Sequence, residues 1–135
     1  MRKLALMAAA GLAVTALSGC SQINTLQPVA GDSISSVRTA TVDVALANGV
    51  NFASAPVCTS ANTHFSCVGL ATDGRSVTGE ADQVTVAEVP AQFKNQIPPD
   101  AAESDPLIVI KVVAGPATLY EGLVSSVMAQ NARTQ

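Results

Sequence analysis

The chain has little of what catalysis and nucleic-acid binding are usually built from. Its 135 residues hold no tryptophan, one tyrosine and three phenylalanines. Base-stacking platforms depend on aromatic faces, so this scarcity argues against a single-strand nucleic-acid binder and against an aromatic carbohydrate cleft. Basic residues are also few, seven Lys and Arg against ten Asp and Glu. No electrostatic footprint for nucleic acid exists, and charge alone would not draw the chain to an anionic bilayer.

Histidine occurs once, as His64. Any Ser–His–Asp or Cys–His arrangement must therefore pass through that residue, and no serine stands in a G-x-S-x-G turn. Cys58-x5-His64-x2-Cys67 offers three ligands where structural zinc takes four, and a disulfide beside an exposed histidine is the simpler reading. Asp100, Glu103 and Asp105 lack the alternating spacing of a calcium loop and read as a solvated surface. Gly69, Gly74 and Gly79 lack the lysine and hydroxyl residue of a phosphate loop. The expectation is a protein without cofactor or metal and without enzymatic activity, a hydrolase using His64 being the minor alternative.

The feature that stands out is at the N-terminus. Arg2 and Lys3 precede an apolar run from Leu4 to Leu17, and Leu17-Ser18-Gly19-Cys20 follows. The run is shorter than the ~20 apolar residues of a membrane span and fits the h-region of an export signal. The alternatives are an uncleaved membrane helix and an ordinary signal cut near Ala16 to Gly19. Small residues leading into a cysteine resemble the lipobox of bacterial lipoproteins. That resemblance implies a diacylglyceryl group on Cys20, cleavage before it, and a protein held by lipid on the extracytoplasmic face of the cell membrane. Residues 1–19 are then the signal peptide, 20–32 a lipidated tether and 33–135 one small domain. The mature chain carries five basic and ten acidic residues, a formal charge of −5. Ile23, Leu26 and Val29 leave open that the tether packs on the domain as an arm.

Three cysteines less the lipidated one leave Cys58 and Cys67, and an oxidising compartment favours their pairing. Both fall on extended segments joined by a short loop, within reach of disulfide geometry.

Along the domain, 33–48 reads as a helix, with Asp32 or Ser33 as its cap and Asn48-Gly49 as its stop. Ile34, Val37, Thr41, Val44 and Ala45 share one face. The β-branched residues keep a strand over 39–46 as the alternative. An edge strand with Pro56 is expected over 50–58, a turn over 59–63, and a strand over 64–71 with Phe65 and Cys67 opposite Val68 and Leu70. Asp73-Gly74 reads as a two-residue hairpin turn. The returning strand is expected to break at Gly79–Asp82 and resume at Val84, Val86 and Val89. Residues 90–105 form a proline-bounded loop with one helical turn at Phe93 and Ile97. Residues 107–113 are the clearest strand, central in the sheet, with Lys111 reaching an edge. A partner strand over 117–121 and a helix over 123–133 complete the chain.

The pieces Val57-Cys58, Phe65-Ser66-Cys67 and Asp73-Gly74 are similar in order to small secreted or lipid-anchored proteins of actinobacteria. The resemblance implies a compact α+β domain with a cysteine pair across neighbouring segments. The expected fold is α+β, an antiparallel sheet of about four strands with the two helices on one face. The expected role is non-enzymatic, binding an envelope partner or supporting structure. The alternative is a carrier holding a lipid or other apolar ligand between sheet and helices.

Overall fold

The computed structural model describes residues 30–134. The leader, Cys20 and the tether up to residue 29 lie outside the described residues. Helix α1 (Ala30–Ala47) is followed by strands β1 (Phe52–Ala61), β2 (His64–Ala71) and β3 (Ser76–Thr85). Short 3-10 turns at Val86–Glu88 and Ala91–Gln96 lead to β4 (Pro106–Ala114), β5 (Ala117–Leu123) and helix α2 (Val124–Arg133). The sheet is a five-stranded antiparallel meander in chain order, one strand more than the approximate expectation.

α1 is a helix despite its β-branched residues because one face is buried, and burial of a face outweighs a few tenths of a kcal/mol of propensity per residue. Val37, Ala40, Thr41, Val44 and Ala45 are buried, with Ile34 half-buried at the rim. Asp32 and Ser33 sit inside the first turns instead of capping them, because the helix starts earlier, at Ala30. Its C-terminus closes as expected. Gly49 takes φ +74°, its N–H donates to Leu46 O at 3.0 Å, and Val50 N–H donates to Ala45 O at 2.9 Å. This satisfies two orphan carbonyls and tucks Val50 under the helix.

Strand alternation decides which side chains meet the helices. Phe65, Cys67 and Ala71 on β2, Val77 and Ala81 on β3, and Ile110, Val112 and Ala114 on β4 point inward and are buried. Val124 and Val127 of α2 join them, forming one core with α1. Fully burying Phe65 or Ile110 contributes about 1.5–3 kcal/mol each.

Several local expectations are corrected. β1 continues to Ala61, so the turn shrinks to Asn62-Thr63, with Asn62 at φ 55°. The next loop is longer than a two-residue turn. Gly74 N–H donates to Ala71 O at 3.0 Å, Gly74 has φ +87°, and the Asp73 carboxylate accepts from the Arg75 backbone and side chain. β3 runs unbroken through Gly79–Asp82, because Gly79 is a packing glycine: a Cβ there would lie 2.1 Å from the Thr41 hydroxyl. Val86 and Val89 belong to the turns after β3. Lys111 stands in mid-sheet, because β4 is paired on both sides and its register neighbours are Glu80 and Glu121.

The 86–105 segment folds over the sheet's other face. Val89 and Phe93 are buried there with Leu123, against the partly buried Val84, Ile97, Leu107 and Val109. This second small core explains why β4 reads as nearly continuous apolar residues: at its start both faces are covered.

Candidate functional site: the open face of the sheet

The face of the sheet away from the helices divides into three zones. The loop covers the end formed by Val84, Leu107, Val109 and Leu123. A polar belt crosses the middle, and an apolar zone lies open beyond it.

The belt is built by register. His64 lies opposite Asp82, Ser66 opposite Glu80, and Glu80 opposite Lys111, which faces Glu121 on β5. His64 Nδ1 is 2.9 Å from Asp82 Oδ1, and its Nε2 is 3.0 Å from Glu80 Oε2. Both ring nitrogens donate only in the imidazolium form. The hydrogen bond with Asp82 raises the histidine above its ordinary 6.5; desolvation opposes it, and the charge of Asp82 with the hydrogen bond and charge of Glu80 add to the rise. Ser66 Oγ donates to Glu80 Oε1 at 2.7 Å, so the nearest hydroxyl turns to a carboxylate and not to the imidazole. The arrangement is a clamp between β2 and β3. It lacks the hydroxyl-to-imidazole hydrogen bond by which a base activates a nucleophile.

The apolar zone is formed by Val57, Val68 and Leu70, which are 74, 51 and 45% exposed. Val57 and Val68 are direct cross-strand partners, and Leu70 follows Val68 on the same face. Thr78 and Val113 continue the row across β3 and β4. The alternation in His64–Ala71 already placed Val68 and Leu70 opposite Cys67. Their lack of cover was not readable from it.

Cys58 and Cys67 face each other across β1 and β2, joined by a disulfide with Cα atoms 4.0 Å apart. The bond lies on the helix side, with Cys67 fully buried and Cys58 partly so. Cys20 lies outside the described residues. Asp100, Glu103 and Asp105 are exposed on the covering loop, where Asp105 Oδ2 accepts from the Ala102 backbone. Among the described residues no cluster of three His, Cys, Asp or Glu side chains has metal-holding geometry. No described helix is long and apolar enough to cross a membrane.

Surface grooves lie elsewhere on the described residues. One of about 380 Å³ separates α1 from β1 at Ile34, Arg38 and Pro56. Another of about 670 Å³ lies between the helices at Asp43, Leu46 and Met128. A third of about 560 Å³ lies between α2 and the covering loop at Pro98, Tyr120 and Arg133. The layer between α1 and the sheet is filled by Val37, Thr41, Phe65, Val77 and Val112, all at or near zero exposure.

No family model matches the chain, and no curated protein or solved structure matches it either.

Proposed function

We propose that the chain is a lipid-anchored protein of the cell envelope that acts by binding and not by catalysis. Cys20 carries the lipid, and the domain stands on the extracytoplasmic side of the membrane. The observation that carries the binding role is the open apolar zone of Val57, Val68 and Leu70 on a sheet whose other end the chain covers itself. Contiguous exposed apolar patches often mark interaction sites. The Cys58–Cys67 bond supports an oxidising compartment. The filled layer between helices and sheet supports surface binding over a ligand carrier.

The test is intact mass and fractionation. Protein extracted from its native membrane should have the mass of residues 20–135 plus acyl groups, and Cys20→Ala should leave the mature membrane-bound pool. Two or three acyl chains, at ~0.8 kcal/mol per buried CH2, hold a protein to the bilayer where one does not. A mature, tightly bound Cys20→Ala protein would refute the anchor.

A further inference from the structure

We infer that residues 23–29 of the chain itself dock as an extended arm in the groove between α1 and β1. This groove, about 380 Å³, is lined by Ile34, Ser35 and Arg38 of α1 and by Pro56, Val57 and Cys58 of β1. Ile34 and Cys58 are partly buried and pack against the main core from its edge. An apolar side chain laid on them therefore extends that core. Pro56 is buried, whereas Val57, at 74% exposure, and Arg38 stand open to whatever fills the groove. Val57 also begins the open row of the sheet's outer face, so the groove borders that face.

Position and length select the occupant. The described chain begins at Ala30, the first residue of α1, four residues before Ile34. The eight residue steps from Ala30 to Arg38 rise about 12 Å along the helix. Residues 23 to 28 cover about 16 Å when extended. A reversal at Pro28 and Val29 thus lays them along the whole groove, and proline favours both a turn and an extended residue before it. Ile23, Leu26 and Val29 are spaced three apart, which aligns them on one edge of an extended chain with three residues per turn. Asn24, Thr25 and Gln27 take the outer side, and no residue from 20 to 29 is charged. The Arg38 guanidinium supplies donors for the carbonyls of such an arm. A second copy or a separate protein must reach the groove from solution. Residues 23–29 are joined to its wall and held there at high effective concentration. This placement does not depend on the lipid, but its consequence rests on the anchor proposed above. Only Cys20, Ser21 and Gln22 then separate bilayer from domain, about 10 Å when extended. The α1–β1 edge sits beside the membrane, and Val68 and Leu70 stay open for the binding role.

The experiment is amide hydrogen exchange on the protein as purified from its producing cells, mixed with neutral phosphatidylcholine vesicles. After correction for intrinsic rates, the amides of residues 23–27 should exchange about tenfold or more slowly in the wild type than in Ile23→Ser with Leu26→Ser. That is the factor that burying one such side chain supplies. Val57→Glu places a charge in the groove at an exposed position and should release the arm to the same degree. Exchange in β3 and β4 should keep its wild-type rates and report an intact fold. Unprotected amides in the wild type would overturn the inference. So would protection that survives Val57→Glu, which puts the segment on another surface or in the bilayer, or protection lost on dilution, which makes a second copy the occupant. The anchor is scored separately: a wild-type chain that does not float with the vesicles sinks the anchor alone and leaves the exchange result standing.

Discussion

Gly79→Ala is the sharpest probe of how α1 sits on the sheet. The new methyl carbon would lie 2.1 Å from Thr41 Oγ1 and 3.1 Å from both Cβ and Cγ2 of that residue. Thr41 cannot swing aside into water. It is fully buried, and its hydroxyl donates to Val37 O at 2.8 Å. Carbon–heavy-atom contacts are comfortable near 3.5–4.0 Å, so α1 would have to lift by roughly 1 Å along this row. Overpacking of this kind costs about 1–3 kcal/mol, and the lift also loosens Val37 and Val44. Alanine recovers about 0.5–1 kcal/mol over glycine in the unfolded chain and strand. The expected net loss is about 1 kcal/mol, which in a domain of this size lowers the thermal midpoint by about 4–8 °C. Urea unfolding with the disulfide intact measures it. The decisive comparison is the same substitution in a Thr41→Ala background, which removes the hydroxyl and the Cγ2 methyl. There the added cost of Gly79→Ala should shrink by about 1–2 kcal/mol. A Gly79→Ala protein within about 0.5 kcal/mol of wild type, or an equal loss in both backgrounds, would refute the packing argument.

Two further outcomes follow from the same geometry. The Cys58–Cys67 bond closes a loop with a sequence separation of 9, which in the chain-entropy account contributes about 2–3 kcal/mol. Reduction, or Cys58→Ala with Cys67→Ala, should lower the unfolding free energy by that amount; coincident oxidised and reduced denaturation curves would contradict it. His64 is raised above 6.5 by Asp82 first and Glu80 second, so its contribution is fully present below 6.5 and fades as pH rises through the higher folded value. Its imidazole NMR signals should titrate with a midpoint above 6.5, and Asp82→Asn should bring that midpoint down; a wild-type midpoint at or below 6.5 would break the clamp reading.

Local signals in the chain carried much of the architecture. The stop at Asn48-Gly49, the strict alternation of His64–Ala71 and the apolar run of β4 depend on neighbours in sequence, and all three match the structure. The reading of Gly79–Asp82 as a break failed for a physical reason. A glycine in a strand signals either a bend or a close approach, and only the position of α1 shows which. The 90–105 segment is irregular as its prolines indicate, with a short helical turn over Ala91–Gln96. That Phe93 anchors it to Leu123, a partner far along the chain, was not readable from the segment itself.

The candidate site divides along the same line. The pairing of Cys58 with Cys67 was legible from cysteine count and spacing, and so was the shared face of Val68 and Leu70. The bracketing of His64 by Asp82 and Glu80 was not, because it depends on the register of β2 against β3.

By itself, the sequence determined most of the helix and strand segments and which cysteines are partners, because caps, alternation and cysteine spacing are properties of short stretches. Only the tertiary structure decided that, among the described residues, one half of the sheet's outer face is covered and the other left open. That outcome depends on where a long loop finds apolar side chains contributed by β3, β4 and β5, and no short stretch contains that information.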